Sequence, residues 1–348
     1  MEKIHKISFP GLGIGEFNID SLALDLNGLT VAWYGIIIVT GIFLAVLYIY
    51  LRSKRKKLLM DDLIDIAFCT VIPGIVGARL YYVFFDWLKN PAEYDSLEDV
   101  VAVWNGGLAI YGGIIFGALG CLMALRWKKI RIPAFFDILA PAVQMAQAIG
   151  RWGNFTNAEA FGSETTLPWR MKLECVDHNC SLITNGMAVH PTFLYESLWN
   201  LIGFVFLTLY SKKKKFDGEI FLLYLGWYGL GRMFIEGLRT DSLYIGGLRV
   251  SQWLAAACLA AALILLVRGY FVKKLRGVAD CLYLPESKRY AEVMQVAADG
   301  AVIPNVAAFE QDGDTTDQSD GGTEAPSDES DADPSETSET DPSDKENE

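Results

Sequence analysis

The sequence predicts an all-α polytopic membrane protein: seven transmembrane helices, N-terminus outside, C-terminus cytoplasmic, with a disordered acidic C-terminal tail. Three observations predict it: apolar runs recurring at bilayer length, basic clusters at every second connector, and a charge balance split between two unlike parts. The 348-residue chain is 52% hydrophobic and 21% charged, with a formal net charge of −12. From Glu310 to Glu348 there are 16 acidic residues and one lysine, a charge of −15, whereas the other 309 residues carry 29 basic and 26 acidic side chains. The acidity therefore belongs to the tail. The body is apolar and nearly neutral, which excludes a uniform soluble globule.

A bilayer core about 30 Å thick needs about 20 mostly apolar residues per helix. Runs at about 31–51, 106–125 and 250–267 meet this without one charged side chain, and runs at 63–85, 134–152, 191–210 and 219–236 meet it while carrying polar groups. One such run fits a buried core helix; seven with short connectors fit only a membrane domain, here residues 1–276. The first 27 residues are mixed in polarity and the first run is long and followed by positive charge, so no cleavable signal is expected. A cytoplasmic linker is expected over 277–309. The tail at 310–348 repeats Ser, Thr, Asp, Glu and Pro almost without aromatics and cannot bury enough surface to fold.

Basic clusters at Arg52–Lys57, Arg126–Arg131, Lys212–Lys215 and Lys273–Arg276 follow the first, third, fifth and seventh runs. The alternate connectors are acidic or poor in lysine, so the positive-inside tendency sets the orientation stated above. Cys69, Cys121 and Cys258 fall within spans, as packing residues do. Cys175 and Cys180 share an outer connector with His178; a loop disulfide is one reading. A metal site there lacks a fourth ligand, and neither metal nor cofactor is expected.

A charge near the bilayer centre costs at least ~2.5 kcal/mol, so membrane-edge polarity is where chemistry is sought. Arg79, Arg151, His190, Glu196, Arg232, Glu236 and Arg239 all fall toward the outer ends of predicted spans. Arg232, Glu236 and Arg239 are spaced i, i+4, i+7 along one helical stripe, and Arg151 and Asn154 are i, i+3. Tyr34 opens the first span from the same side, and Tyr111 the third. Each has a plain structural reading: Arg79 alone as a snorkelling side chain, Trp33 and Trp87 as an aromatic belt, Gly113 to Gly117 as helix packing, Arg232–Glu236 as an ion pair. Their gathering at one face is what those readings leave unexplained. Guanidinium groups at headgroup level suit a phosphate. The chain has no HExxH, GxSxG or Walker loop, which argues against a zinc protease, serine hydrolase or ATPase. Residue chemistry alone thus ends at an outer-face protein that handles an anionic lipid or phosphate.

The stretch Gly150-Arg-Trp-Gly-Asn154-Phe-Thr-Asn157-Ala-Glu159-Ala-Phe-Gly162 resembles the signature of the prolipoprotein diacylglyceryl transferase family. His190-Pro-Thr-Phe-Leu-Tyr-Glu196, Gly77-Ala-Arg-Leu80, Val103-Trp-Asn-Gly-Gly107 and Gly231 through Asp241 match further blocks in order, over roughly residues 28–272. The resemblance implies transfer of the diacylglyceryl group of phosphatidylglycerol to the lipobox cysteine of a prolipoprotein signal peptide, releasing glycerol phosphate. It implies membrane lipid as surroundings and no nucleic-acid partner. It makes Arg151 a phosphatidylglycerol ligand, with Asn154, Asn157, Gly162, Tyr34, Glu236 and Arg239 shaping that site, and Arg232 a catalytic arginine. Many members carry His-Gly-Gly where this chain has Tyr111-Gly-Gly113, and an ordinary tyrosine, pKa about 10, is a poor base near pH 7. His190, Glu159 and the substrate thiol itself, acidified by arginine, stay open as the source of the proton transfer, with Tyr111 as an orienting group. A transporter of anionic lipids or small anions is the alternative, but it predicts midplane charges and repeated halves.

Overall fold

Within a bilayer the backbone finds no water to bond to, so each apolar run closes its own hydrogen bonds as a helix. The computed structural model describes residues 4–26, 29–91, 94, 96–103, 106–175, 186–239, 244–245, 248–272 and 277–298. In chain order these form β1 (Ile4–Phe9), β2 (Ile14–Asp20), β3 (Leu22–Leu26) and β4 (Leu29–Ala32). Helices α1 (Trp33–Ser53), α2 (Met60–Trp87), the short α3 (Leu97–Val101), α4 (Ile110–Trp127) and α5 (Ile132–Thr156) follow. Then come β5 (Met171–Cys175), β6 (Met187–Val189), α6 (Thr192–Tyr210) and α7 (Glu219–Glu236). The strands β7 (Tyr244–Ile245) and β8 (Leu248–Arg249) precede α8 (Val250–Phe271) and α9 (Lys288–Ala298).

Among the described residues, six helices are by length and composition suited to cross a membrane: α1, α2, α4, α5, α6 and α8. The seventh expected span is the helix α7, but its 18 residues include Glu219, Arg232 and Glu236, so unlike the other six it offers no 18-residue stretch with two charges or fewer. The span expected from 106 begins at Ile110, because Gly106 and Gly107 sit at φ 85° and 71°, outside the helical region. Phe43, Met123, Leu209 and Phe234 point away from the protein, each more than half exposed. Such an apolar exterior is at home against lipid, not water.

The helices pair mainly as α2 on α4, α7 on α8, α1 on α5 and α5 on α6. A Cβ on Gly112 would collide with the Gly77 carbonyl, and one on Gly120 with the Cys69 carbonyl, so α2 and α4 touch backbone to backbone. Gly113 and Gly117 lie on this same contact opposite Gly74, as their spacing led us to expect.

Helices are not the whole of the fold. A four-stranded antiparallel sheet, in the order β2-β1-β5-β6, corrects the all-α expectation to a mostly helical one. Ile7, Leu173 and Val189 are fully buried and pack with Ala158, Phe161 and Phe193, which ties the sheet to the end of α5 and the start of α6.

The stretch expected as a linker packs too, as far as it is described. Leu282 and Tyr283 are fully buried. Leu282 bonds through its backbone to Lys56 and Arg131 (3.0 and 2.7 Å), and Leu284 to Lys129 (2.8 Å), joining the α1–α2 and α4–α5 connectors. The Tyr283 hydroxyl donates to Asp62 Oδ2 at 2.6 Å and accepts from the Leu59 amide at 3.2 Å. Burial and the Asp62 carboxylate push that hydroxyl far above its ordinary pKa, so it stays a donor. Tyr283→Phe removes a hydrogen bond to a buried charge, and we expect a loss of about 2 kcal/mol, read as a lower thermal midpoint in detergent. An unchanged midpoint would mean the segment does not clamp the connectors. The tail at 310–348 lies outside the described residues.

Candidate active site

Glu196 sits in the second turn of α6 and is 4% exposed. Three arginines from other parts of the chain converge on it. Its Oε2 pairs with Arg151 Nη2 of α5 at 2.5 Å and with Arg232 Nη1 of α7 at 3.3 Å, and its Oε1 with Arg239 Nη1 at 3.4 Å. Arg232 also grips Glu236 across one helical turn at 2.6 Å, the i, i+4 pair the sequence predicts. The Ser251 hydroxyl donates to the other oxygen of Glu236 at 2.6 Å, anchoring that carboxylate to α8.

Among the described residues, the five charged groups paired here, three guanidiniums and two carboxylates, sum to one positive charge. A desolvated excess charge is costly unless a counter-ion completes it. The site is therefore suited to a singly charged anion, as a phosphodiester is.

A second chain of polar contacts leaves from Arg151. Its Nη1 donates to Asn154 Oδ1 at 3.2 Å, and Asn154 Nδ2 donates to Glu159 Oε1 at 2.9 Å, with Asn157 Nδ2 at 3.5 Å from the same oxygen. Glu159 itself is exposed. It is flanked by Ala158 at φ 47° and Ala160 at φ 57°, left-handed conformations that cost alanine roughly 1–2 kcal/mol each. Strain of this kind gathers where a turn has to hold a functional side chain.

Gly162 explains how distant segments meet here. Its amide donates to the His190 carbonyl at 3.0 Å and it bridges to Arg239, while Ser163 donates to Leu238 at 2.8 Å. A Cβ on Gly162 would come within 2.7 Å of the His190 Cβ and 3.1 Å of the Leu238 carbonyl. Only glycine lets the strand leaving α5 pass between the entry to α6 and the exit from α7.

Other expected residues are placed less centrally. His190 Nδ1 lies 3.2 Å from the Tyr195 hydroxyl, which accepts from Trp169 Nε1 at 2.7 Å. This contact, with the two rings 6.0 Å apart edge to face, ties the imidazole to Tyr195. Tyr111 is 44% exposed at the start of α4, its ring 6.5 Å from that of Tyr81. Arg79 stays out of the cluster: it donates to the carbonyls of Asp99, Val100, Gly106 and Gly107 at 2.7–3.1 Å and so pins the α2–α4 connector. Tyr34 packs on Gly153, where a Cβ would meet its ring at 2.8 Å. Asp241, His178 and Cys180 lie outside the described residues, and with them the question of a loop disulfide.

Two hollows meet at Arg151. A groove of about 480 Å³ runs from Tyr34, Arg151 and Asn154 between α1, α2, α4 and α5 to Leu63, Ile66 and Phe135. On the other side a void of about 20 Å³, room for one water, lies among Gln147, Glu196, Tyr228 and Arg232. Arg151, Gln147 and Tyr228 line both. A cationic mouth over an apolar groove fits an amphiphile with an anionic head. Sequence reasoning placed Glu196 at this face without a role, and it did not find Tyr228 or Gln147; Gln147, four residues before Arg151 on the same helical stripe, was the available signal.

The sequence model of the prolipoprotein diacylglyceryl transferase family matches residues 21–268. The chain is 42% identical over 260 residues to a protein of Streptococcus suis named phosphatidylglycerol–prolipoprotein diacylglyceryl transferase, covering 72% of this chain and 93% of that one. Proteins with the same name from Streptococcus mutans (42% over 258 residues) and Streptococcus pneumoniae (43% over 256) cover 72% of this chain and 95% and 94% of their own.

Proposed function

The chain belongs to the prolipoprotein diacylglyceryl transferase family, and from that premise we propose that the arginine–Glu196 cluster holds the phosphate of phosphatidylglycerol while its acyl chains lie in the groove. The protein is a multi-pass membrane enzyme that transfers the diacylglyceryl group of phosphatidylglycerol to a prolipoprotein in lipoprotein maturation. The observation that carries the site is the convergence of Arg151, Arg232 and Arg239 on one buried carboxylate, at the mouth of an apolar groove.

In our reading all seven long helices cross, the N-terminus lies outside and the site opens to the outer leaflet. The acceptor is the thiol of a lipobox cysteine in the signal peptide. Its sulfur forms a bond to the glyceryl carbon as the carbon–oxygen bond to phosphate breaks; the thiol proton leaves and glycerol phosphate departs. Negative charge grows on phosphate oxygens, where preorganised guanidiniums stabilise it most. Arg151 and Arg232 face that charge, with Arg239 and Glu236 holding them in place. Glu159, exposed and presented by Asn154 and Asn157, is the group best placed to receive the thiol proton. His190 braces the α6 entry, and Gly162 keeps the segments together. Tyr34 lines the groove mouth. Tyr111 orients substrate without serving as base.

Detergent-solubilised protein given phosphatidylglycerol labelled in an acyl chain is expected to move the label to a lipobox peptide, and not to its Cys→Ser counterpart. Label that stays in the lipid with well-folded enzyme would defeat the reading. Tyr111→Phe is expected to keep transfer within about fivefold, the worth of one neutral hydrogen bond. A loss beyond a hundredfold would instead make Tyr111 the base.

A further inference from the structure

At the end of the bundle opposite Glu196, α1, α5, the stretch after α6 and the start of α7 surround a cavity of about 160 Å³. Arg52, Arg55, Lys56, Lys212 and Lys214 line it, against one carboxylate, Asp137. Asp137 is already satisfied. Its Oδ2 pairs with Lys214 Nζ at 2.8 Å and accepts from the Gly218 amide at 2.8 Å, and its Oδ1 accepts from the Phe221 amide at 3.0 Å. Lys214 also holds Asp217 at 3.0 Å. Among the described residues, Arg52, Arg55, Lys56 and Lys212 pair with no carboxylate. Arg52 donates to the Ser211 hydroxyl and Lys56 to the Ala279 carbonyl at 2.6 Å, which fixes both cations beside the cavity.

Basic residues at this end are expected from orientation alone. Orientation asks only for charge near the membrane surface. It does not call for four cations around one hollow that form no ion pair among the described residues, beside a serine hydroxyl and over the half-buried apolar side chains of Tyr48 and Ile138. Basic pockets between helices at the cytoplasmic side are where anionic headgroups settle. Those apolar side chains favour a lipid over a free oxyanion, since a free phosphate has nothing to bury there.

We propose that this cavity binds the phosphate of an anionic lipid in the leaflet opposite the active site, as a second lipid position at which no chemistry occurs. The leaflet assignment rests on the orientation read above. Leu282 gives the site a further consequence. It lies beyond the residues 21–268 that match the family, in the segment that clamps the helix connectors. A bound lipid would screen the repulsion among the cations there and hold that segment against α1 and α6.

The test uses the full chain in nanodiscs, with photoactivatable phosphatidylglycerol and phosphatidylcholine of identical acyl chains. We expect the anionic probe to label peptides carrying residues 52–56 and 211–214, and the zwitterionic probe to label them far less. Arg55→Gln with Lys212→Gln, both exposed side chains, should raise the half-saturating probe concentration for these peptides about 30-fold, at about one surface charge's attraction per residue removed. Labelling around residues 147–154 reports the outer site in the same sample, and label transfer to a lipobox peptide tests the enzyme reading separately. Equal labelling by both probes, or labelling indifferent to the double variant, overturns the proposal. Displacement of the lipid by millimolar inorganic phosphate would make the ligand a free anion and overturn it as well.

Discussion

Arg151→Ala is expected to slow diacylglyceryl transfer by about a hundred- to a thousandfold at saturating phosphatidylglycerol, the usual cost of removing one preorganised donor from a developing oxyanion. Position decides the size of the effect. Among the described residues, Arg151 is the one guanidinium that pairs with Glu196 and also lines the groove expected to hold the acyl chains. Its loss leaves Glu196 with Arg232 and Arg239, so the fold keeps its central contacts and the defect should appear in the rate rather than in the thermal midpoint. Arg151→Lys should recover only part of the activity. A lysine supplies a point charge and lacks the planar fork that reaches Glu196 and Asn154 at once. Steady-state rates for the two variants beside wild type check this. Transfer within threefold of wild type in Arg151→Ala would remove Arg151 from the reaction.

What the sequence shows of this site is what helical spacing encodes. Arg232 to Glu236 and Arg151 to Asn154 are contacts within one helix, legible from i, i+4 and i, i+3, and both form. The apolar runs were equally legible, because bilayer thickness sets their length. The meeting of three arginines at Glu196 was not. It joins residues 36 and 43 positions apart through packing that leaves no local signal. The sheet was hidden for a different reason. Its strands are short and come as two pairs far apart in sequence, β1 with β2 and β5 with β6, so that β1 meets β5 across the whole of α1–α5. Arg79 shows the limit of reading a membrane-edge charge as function: buried, it spends its donors on backbone carbonyls. Tyr283 shows the converse. A single tyrosine in a stretch resembling a linker becomes fully buried because Asp62, already bonded to Lys128 at 2.7 Å, has a second oxygen to offer.

Glu196→Ala is expected to cost more stability than any other single change in the cluster, about 3–5 kcal/mol, because it leaves buried like charges without the group that separates them. Arg232 keeps Glu236 as a partner, whereas among the described residues Arg151 pairs with no carboxylate but Glu196. The chain would be expected to melt at lower temperature and to regain stability when phosphate, or an anionic lipid, supplies the missing negative charge. That rescue distinguishes electrostatics from lost packing, since an anion cannot fill the volume of a deleted side chain at a point 4% exposed. Glu196→Gln preserves the volume and lets its carbonyl oxygen accept from one guanidinium, so it should fall between wild type and alanine in stability. The net charge of the cluster rises from +1 to +2 in either variant, which should tighten retention of phosphatidylglycerol while slowing transfer, because a headgroup held more tightly before the reaction gains less at its transition state. Thermal midpoints with and without phosphatidylglycerol, together with transfer rates, separate these effects. A Glu196→Ala protein that melts with wild type and binds the lipid no differently would mean the three arginines do not depend on this carboxylate.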